Sequence, residues 1–245
     1  MKSRQPLTFY GEPLPGVDIS ELRGKLIVIE GPDSIGRSTQ VRQLRFWLEQ
    51  QGYAVMDTGM ARSALTRKGI QDAKTGHTLG PLTMTLFYTT DFADRLENEI
   101  VPALRAGFIV LTDRYFFSIM ARAAARGQSA KWVEQSAGFA LVPHAVYYLK
   151  APVEDLVARV VLGRGSFDYW ESGMDGGFGK DRYESFIGYQ QRLIKALDRM
   201  AEQYGFKIVD ASKSPEQIFR QLQRSIERLL GPKPMDEPLA DELSA

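Results

Sequence analysis

The sequence predicts a three-layer α/β fold, with a five-stranded parallel sheet covered by helices on both faces, and three observations carry that expectation. Short runs rich in β-branched residues alternate along the chain with segments of helical periodicity. The first of those runs closes on Gly31, and the helical stretch ahead of the third run stops at Gly107. The length, 245 residues, suits one large domain or two small ones and is enough to bury a sizeable core.

The elements follow in order. Residues 1–24 hold Pro6, Pro13, Pro15, Gly11, Gly16 and Gly24 without sustained periodicity and read as an extended N-terminal arm. Leu26, Ile27, Val28 and Ile29 form an apolar run closed by Glu30-Gly31, the look of a strand buried on both faces. Val41, Leu44 and Leu48 then recur at helical spacing, and the adjacent Phe46 and Trp47 read as core or interface residues of that helix. Residues 54–57 read as a second strand. Residues 81–106 read as one long helix with Leu82, Leu86, Ala93, Leu96, Ile100 and Ala103 on one side and Gly107 as its stop. Residues 108–111, 145–149 and 207–209 complete the five strands, with helical pattern over 116–126, 153–162 and 215–230. Ser214 before Pro215 is an N-cap signal for the last of these. Residues 25–230 are therefore expected to be one domain. The stretch 231–245, GPKPMDEPLADELSA, reads as an acidic tail.

Composition narrows the chemistry. With no cysteine, disulfide scaffolds, thiolate zinc sites and cysteine nucleophiles are excluded, and two histidines leave little for a histidine metal site. Catalysis must rest on carboxylates, Arg/Lys, hydroxyls or a cofactor. A net charge of +1 argues against bulk binding to nucleic acid or an anionic membrane. The central domain is more basic than that average, with 27 Lys+Arg against 23 Asp+Glu. No run approaches the ~18 apolar residues of a membrane span and no signal-peptide core is present, so a cytoplasmic protein is expected.

Polar residues just after strands are where such sheets bind ligands. After the first strand stands Gly31-Pro32-Asp33-Ser34-Ile35-Gly36-Arg37-Ser38-Thr39, which matches the phosphate-binding loop G-x-x-x-x-G-K-[ST] except that Arg37 replaces the Lys. The glycines let backbone N–H groups converge on phosphate oxygens, the following helix contributes its positive end, and Ser38 offers a hydroxyl to Mg²⁺. Arg37 keeps the charge and changes the geometry. Two readings follow: a guanidinium spanning two phosphoryl oxygens, or a site that binds nucleotide and transfers slowly. After the third strand, Asp113-Arg114-Tyr115 offers a carboxylate for Mg²⁺ or its water shell and an arginine for an acceptor phosphate. Ala211, in the turn after the fifth strand, is placed to face an adenine. The glycine- and aromatic-rich segment 163–182, with Arg164, Lys180 and Arg182, reads as a mobile basic lid over phosphates. His77 and His144 lack metal-ligand spacing and read as structural.

Taken together these segments resemble the thymidylate kinase family of nucleoside monophosphate kinases. The similarity lies in LIVIEGPDSIGRSTQ (26–40), FADR before NEIVPALRAG (92–107), IVLTDRYFFS (109–118), VPHAVYYLKAPVEDLVAR (142–159) and IVDASKSPEQI (208–218), in the family's order. The resemblance implies transfer of the ATP γ-phosphoryl group to dTMP with Mg²⁺, nucleotides as small-molecule partners, and a homodimer packed through helices that include the long one. It implies no role in nucleic-acid or membrane binding. Position by position, residues 31–39 would hold the ATP phosphates, and Asp33 would lie near the acceptor's sugar and phosphate. Phe92 and Arg95 would meet the acceptor base, Arg114 the acceptor phosphate, and Asp113 with Ser38 the Mg²⁺. Arg164 would supply the catalytic arginine that some members carry at position 34. Departures are Arg37 in the loop, Asp57-Thr58-Gly59-Met60-Ala61-Arg62 in place of R-E-P-G, Arg122 where a tyrosine near the deoxyribose is expected, and Asp91 in place of the stacking phenylalanine. The donor side matches better than the acceptor side, leaving two alternatives: a kinase for another nucleotide or nucleoside, or a catalytically weak nucleotide-binding regulator.

Overall fold

Leu26, Ile27, Val28 and Ile29 are all fully buried, so each contributes about 1.5–3 kcal/mol of apolar burial, and the strand they form runs through the centre of the molecule. The computed structural model describes residues 7–232; residues 1–6 and most of the expected acidic tail, 233–245, lie outside the described residues. The strands are β1 (Lys25–Glu30), β2 (Val55–Gly59), β3 (Ile109–Asp113), β4 (Ala145–Lys150) and β5 (Lys207–Asp210). All pair in parallel, in the order β2-β3-β1-β4-β5. Helices α1 (Arg37–Gln50), α2 (Arg67–Gly76), α3 (Pro81–Arg95), α4 (Val101–Arg105), α5 (Phe116–Ala125), α6 (Ala130–Ser136), α7 (Val153–Gly163), α8 (Arg182–Tyr204) and α9 (Pro215–Leu230) connect and flank them. Two buried apolar clusters occupy the two faces. Val28 and Val110 share one with α3 and α5, and Ile27, Ile29 and Leu111 share the other with α1 and α9. The sequence reading holds for all five strands.

Because β1 lies between β3 and β4, the chain leaves the sheet centre in opposite directions from its two sides, which opens a crevice at the carboxyl ends. Register gathers the functional ends there: Ile29 and Gly59 both stand beside Asp113.

The helical layer differs from expectation in three places. The stretch 81–106 is broken by a π-helical turn, Leu96–Ile100, where the Val101 N–H reaches back to the Leu96 carbonyl. Pro102, which has no N–H to donate, stands just beyond the wide turn. The buried stripe of α3 is Met84, Tyr88, Phe92 and Arg95, while Leu82 and Leu86 face outward, because the Asp91–Arg95 pair turns inward. Phe46 is likewise exposed, and Trp47 meets Phe219 of α9 edge to face. The arm is not a bare extension: Leu7 and Leu14 are buried, Phe9 bridges to Leu141, and Tyr10 packs on Phe116, Phe117 and Tyr204. Ser214 makes the expected cap, closing a reciprocal box with Gln217.

Candidate active site

The loop after β1 is built by its glycines. Gly31 leaves the strand at φ +154° where a Cβ would stand 2.7 Å from the Leu149 carbonyl oxygen. Gly36 caps α1 at φ +96° with no side-chain cap bond, so the first N–H groups of a fourteen-residue helix face the loop cavity. Ser34 takes φ +62° without being glycine, an uncommon conformation held by its neighbours.

Arg37 is tied down at three points. Its Nε donates to Asp113 Oδ1 at 2.8 Å, and its Nη1 donates to the Gly31 carbonyl at 2.7 Å and to the Pro32 carbonyl. A lysine has one nitrogen and no fork with which to reproduce this set. Ser38 Oγ donates to the other Asp113 oxygen at 2.6 Å. Burial would raise the Asp113 carboxyl, yet the Arg37 and Arg114 guanidinium groups and the Ser38 hydroxyl hold it below its ordinary value, so it is ionised at neutral pH.

Arg114 stands at φ +75° and reaches across β1. Its Nη2 donates to Asp33 Oδ1 at 2.5 Å and its Nη1 to Ser118 Oγ at 3.0 Å. Arg122, four residues beyond Ser118 on α5, donates to the same Asp33 oxygen at 2.8 Å. Burial pushes Asp33 up, but Arg122, Arg114 and Arg37 outweigh it and keep the carboxyl far below the usual range. Beneath this cluster lies Glu30, fully buried, accepting from the Tyr115 N–H and from Ser118 Oγ, each at 2.7 Å. Burial raises its carboxyl in spite of Arg114 nearby. Glu30 thereby fixes the turn on which Arg114 is mounted.

Arg164 extends from the end of α7 and donates to Ser34 Oγ at 2.8 Å and to the Glu171 carboxylate. The lid is better anchored than its glycine content suggests. Trp170 is buried with its Nε1 on the Lys74 carbonyl, Ser185 Oγ donates to the Ser172 carbonyl, and Arg126 holds Asp175 through two bonds of 2.7 and 3.0 Å. Trp170, an aromatic residue among the glycines, supplies part of this anchorage and polar bonds the rest, while residues 161–166 stay exposed.

Two sites expected on the acceptor side are not brought to the cleft. Phe92 is fully buried in an aromatic cluster with Tyr115, Phe116 and Phe139. Arg95 is 1% exposed, and its Nε donates to Asp91 Oδ2 at 2.9 Å. Asp91 also accepts from the Ala61 and Ser63 N–H groups and the Thr66 hydroxyl, pinning the segment after β2. An aspartate one helical turn before an arginine pairs with it locally, and that i,i+4 spacing was readable. Ala211 is also committed inward: its N–H donates to the Lys150 carbonyl and its carbonyl accepts from Arg159, which also donates to the Ile35 carbonyl at 2.6 Å. Arg159, Glu30, Arg126 and Gln190, which sequence reasoning did not single out, bond directly to the loop or the lid.

What remains open is a cleft of about 280 Å³ whose walls include Arg37, Arg62, Lys74, Arg114 and Arg122 against Asp33, Asp113 and Glu171. Five cations against three carboxylates suit an anionic ligand. A narrow, mostly apolar side pocket continues from it past Tyr88 and Arg122 to Met84, Ile119 and Trp170. No cluster of three or more His, Asp or Glu side chains capable of holding a metal occurs among the described residues. The adjacent Ser38 hydroxyl and Asp113 carboxylate are hard oxygen donors, the sparse kind of set that suits Mg²⁺, which keeps waters and binds through phosphates.

A glycine loop running into an uncapped helix, at the switch point of a parallel sheet and facing arginines rather than a protein-built metal cage, defines a P-loop phosphotransferase of the nucleotide-kinase type. The family model described as thymidylate kinase matches residues 29–222. The chain belongs to the thymidylate kinase family. It is 30% identical over 211 residues to a probable thymidylate kinase 2 of Saccharolobus solfataricus, covering 86% of this chain and 97% of that protein. It is 30% identical to a probable thymidylate kinase of Thermococcus kodakarensis (84% and 98% covered) and 27% identical to a thymidylate kinase of Carboxydothermus hydrogenoformans (86% and 100%). Enzymes of this family take nucleotides as small-molecule substrates and ATP as phosphate donor. Among the described residues no helix is long and apolar enough to cross a membrane.

Proposed function

We propose that the protein transfers the γ-phosphoryl group of ATP to a nucleoside monophosphate, dTMP first among them, giving ADP and dTDP. The observation that carries this reading is the meeting of Arg37 with Asp113, and of Arg114 and Arg122 with Asp33, on either side of one phosphate-binding loop. An oxygen of the acceptor phosphate attacks the terminal phosphorus, and the bond from that phosphorus to the ADP oxygen breaks. No covalent enzyme intermediate is needed, so positioning and charge stabilisation are the protein's whole task.

In this reading the N–H groups of residues 34–39 cradle the donor phosphates, with Arg37 as their fixed cation, while the Asp33 N–H is held by Gln190. Arg114 and Arg122 exchange part of their hold on Asp33 for the acceptor phosphate, and Asp33 keeps both guanidinium groups aimed at it. Arg164 approaches the transferred group from the lid side, where it already touches Ser34. Mg²⁺, held by Ser38 and Asp113, would neutralise charge on the donor phosphates.

One observation favours a second reading, in which the acceptor is a different monophosphate. Arg95 and Phe92 lie inside the protein, and the pocket beside Arg122 is walled by Tyr88, Met84, Ile119 and Trp170 instead. ADP release with Mg²⁺-ATP across dTMP, dUMP, dCMP, AMP, GMP and the matching nucleosides separates the two. Turnover with dTMP at least ten times that with any other acceptor supports the first reading. Preference for another monophosphate establishes the second, and ATP binding without acceptor-stimulated turnover defeats both in favour of a regulatory nucleotide binder. The outward-facing Leu82 and Leu86 of α3 support a homodimer through that helix, which light scattering on the wild type and Leu86→Lys checks. A cytoplasmic location accords with these substrates.

A further inference from the structure

Resting on the phosphoryl-transfer reading, we propose that Gln190 is a positioning residue that makes lid closure and the setting of Asp33 a single event. Gln190 lies on α8, beyond the lid, and is fully buried. Its carboxamide Oε1 accepts from the Asp33 backbone N–H at 3.2 Å. Its Nε2 donates to Asp33 Oδ2 at 3.1 Å and to the Glu171 backbone carbonyl at 2.8 Å. One amide group therefore binds the backbone and the side chain of a loop residue together with the main chain of the lid. Only a primary amide offers an acceptor and two donors in one plane, so an apolar residue of equal volume cannot take its place.

The loop depends on this bond set. Asp33 gives its Oδ1 to both Arg114 and Arg122, and Gln190 holds Oδ2. Released from Gln190, the carboxylate is free to pivot and both arginines turn with it. The next residue, Ser34, has φ +62° and is bridged to the lid a second time, through Arg164 and Glu171, but that bridge is exposed to water. The buried bridge is the stronger constraint, since hydrogen bonds to a charged group gain strength away from solvent. A lid that swings away from the loop must break the Glu171 bond or pull Gln190 from Asp33. Either event disturbs the acceptor-side arginines.

The test compares full-length wild type with Gln190→Met, which keeps the volume, and Gln190→Glu, which keeps the shape and the acceptor but loses both donors. We expect kcat with saturating ATP and dTMP to fall about 10- to 100-fold in each, the size of effect a small misplacement produces. The KM for ATP stays within about twofold, because the phosphate cradle itself is untouched; a merely structural role would lower the yield of folded protein without this split. In parallel, Mg²⁺-ADP is expected to slow hydrogen exchange in lid residues 168–175 of the wild type and to lose that effect in both variants. Unchanged kcat in the folded variants of an active wild type overturns the proposal, as does equal lid protection by Mg²⁺-ADP in wild type and variants. A wild type inactive with every monophosphate instead defeats the kinase reading, and the exchange comparison, which requires binding and not turnover, still decides the role of Gln190.

Discussion

The two sides of the cleft are built on different principles. On the proposed reading, the donor side is a contiguous segment, residues 31–39, whose shape follows from its own glycines and from the helix it begins. The side proposed for the acceptor is assembled from α3, α5, the segment after β2 and the lid, and there the residue types expected from the family pattern make other contacts. Arg95 has become the inner partner of Asp91, and Arg122 has joined Arg114 on Asp33. A site carried by backbone geometry tolerates side-chain change; a site made of side chains from several elements is rewired by one substitution. Placing Asp91 one turn before Arg95 is enough to withdraw that arginine from the cleft.

The largest expected effect tests the donor side. Arg37→Ala should lower kcat/KM about 10³-fold, in the range found for phosphoryl-transfer arginines. Arg37→Lys should recover only part of that loss, because lysine cannot hold Asp113 and two carbonyls at once. A lysine variant faster than wild type would show that the arginine restrains this enzyme. Arg114→Ala comes next, with about a 10²-fold loss in kcat/KM, expressed mostly as a higher KM for the monophosphate. An unchanged acceptor KM would remove Arg114 from the acceptor site.

Arg95→Met separates the two sides most sharply. It leaves Asp91 as a buried charge without its partner, which costs on the order of 3–5 kcal/mol of stability and should be seen as a lowered melting temperature. The acceptor KM should stay within about twofold. A tenfold rise in that KM with normal stability would mean that Arg95 does reach the acceptor.

The smallest effect concerns the sheet beneath both sides. His144 accepts the Leu26 N–H on its Nδ1, and burial, with Lys25 nearby, pushes it down from 6.5 to about 4. The unfolded chain thus binds the proton more readily than the folded one. This contribution to stability is intact above pH 6.5 and is lost progressively as the pH falls toward about 4. His144→Asn should flatten the dependence of the melting temperature over that window and leave kcat at neutral pH unchanged.

How far each part could be read depends on the range of the interaction behind it. β1 and β3 announce themselves because burial on both faces demands consecutive apolar residues, and the phosphate loop because its glycines are needed at fixed spacing. The outward turn of Leu82 and Leu86 was hidden, since apolar side chains occupy more than one face of α3 and the inward polar pair decides between them. The anchored lid was hidden as well: glycines suggest mobility, and only packing shows Trp170 and Asp175 held by Lys74 and Arg126.

By itself, the sequence determined the five strands, the loop between β1 and α1, and the Asp113-Arg114 pair at the end of β3, because each follows from forces acting among near neighbours along the chain. Only the tertiary structure decided which arginine meets which carboxylate. Arg37 finds Asp113 across 76 positions, Arg114 finds Asp33 across 81 and Gln190 finds Asp33 across 157. An ion pair depends on separation in space and on the water excluded around it, and neither quantity exists until β1, β3, α5 and α8 have packed together.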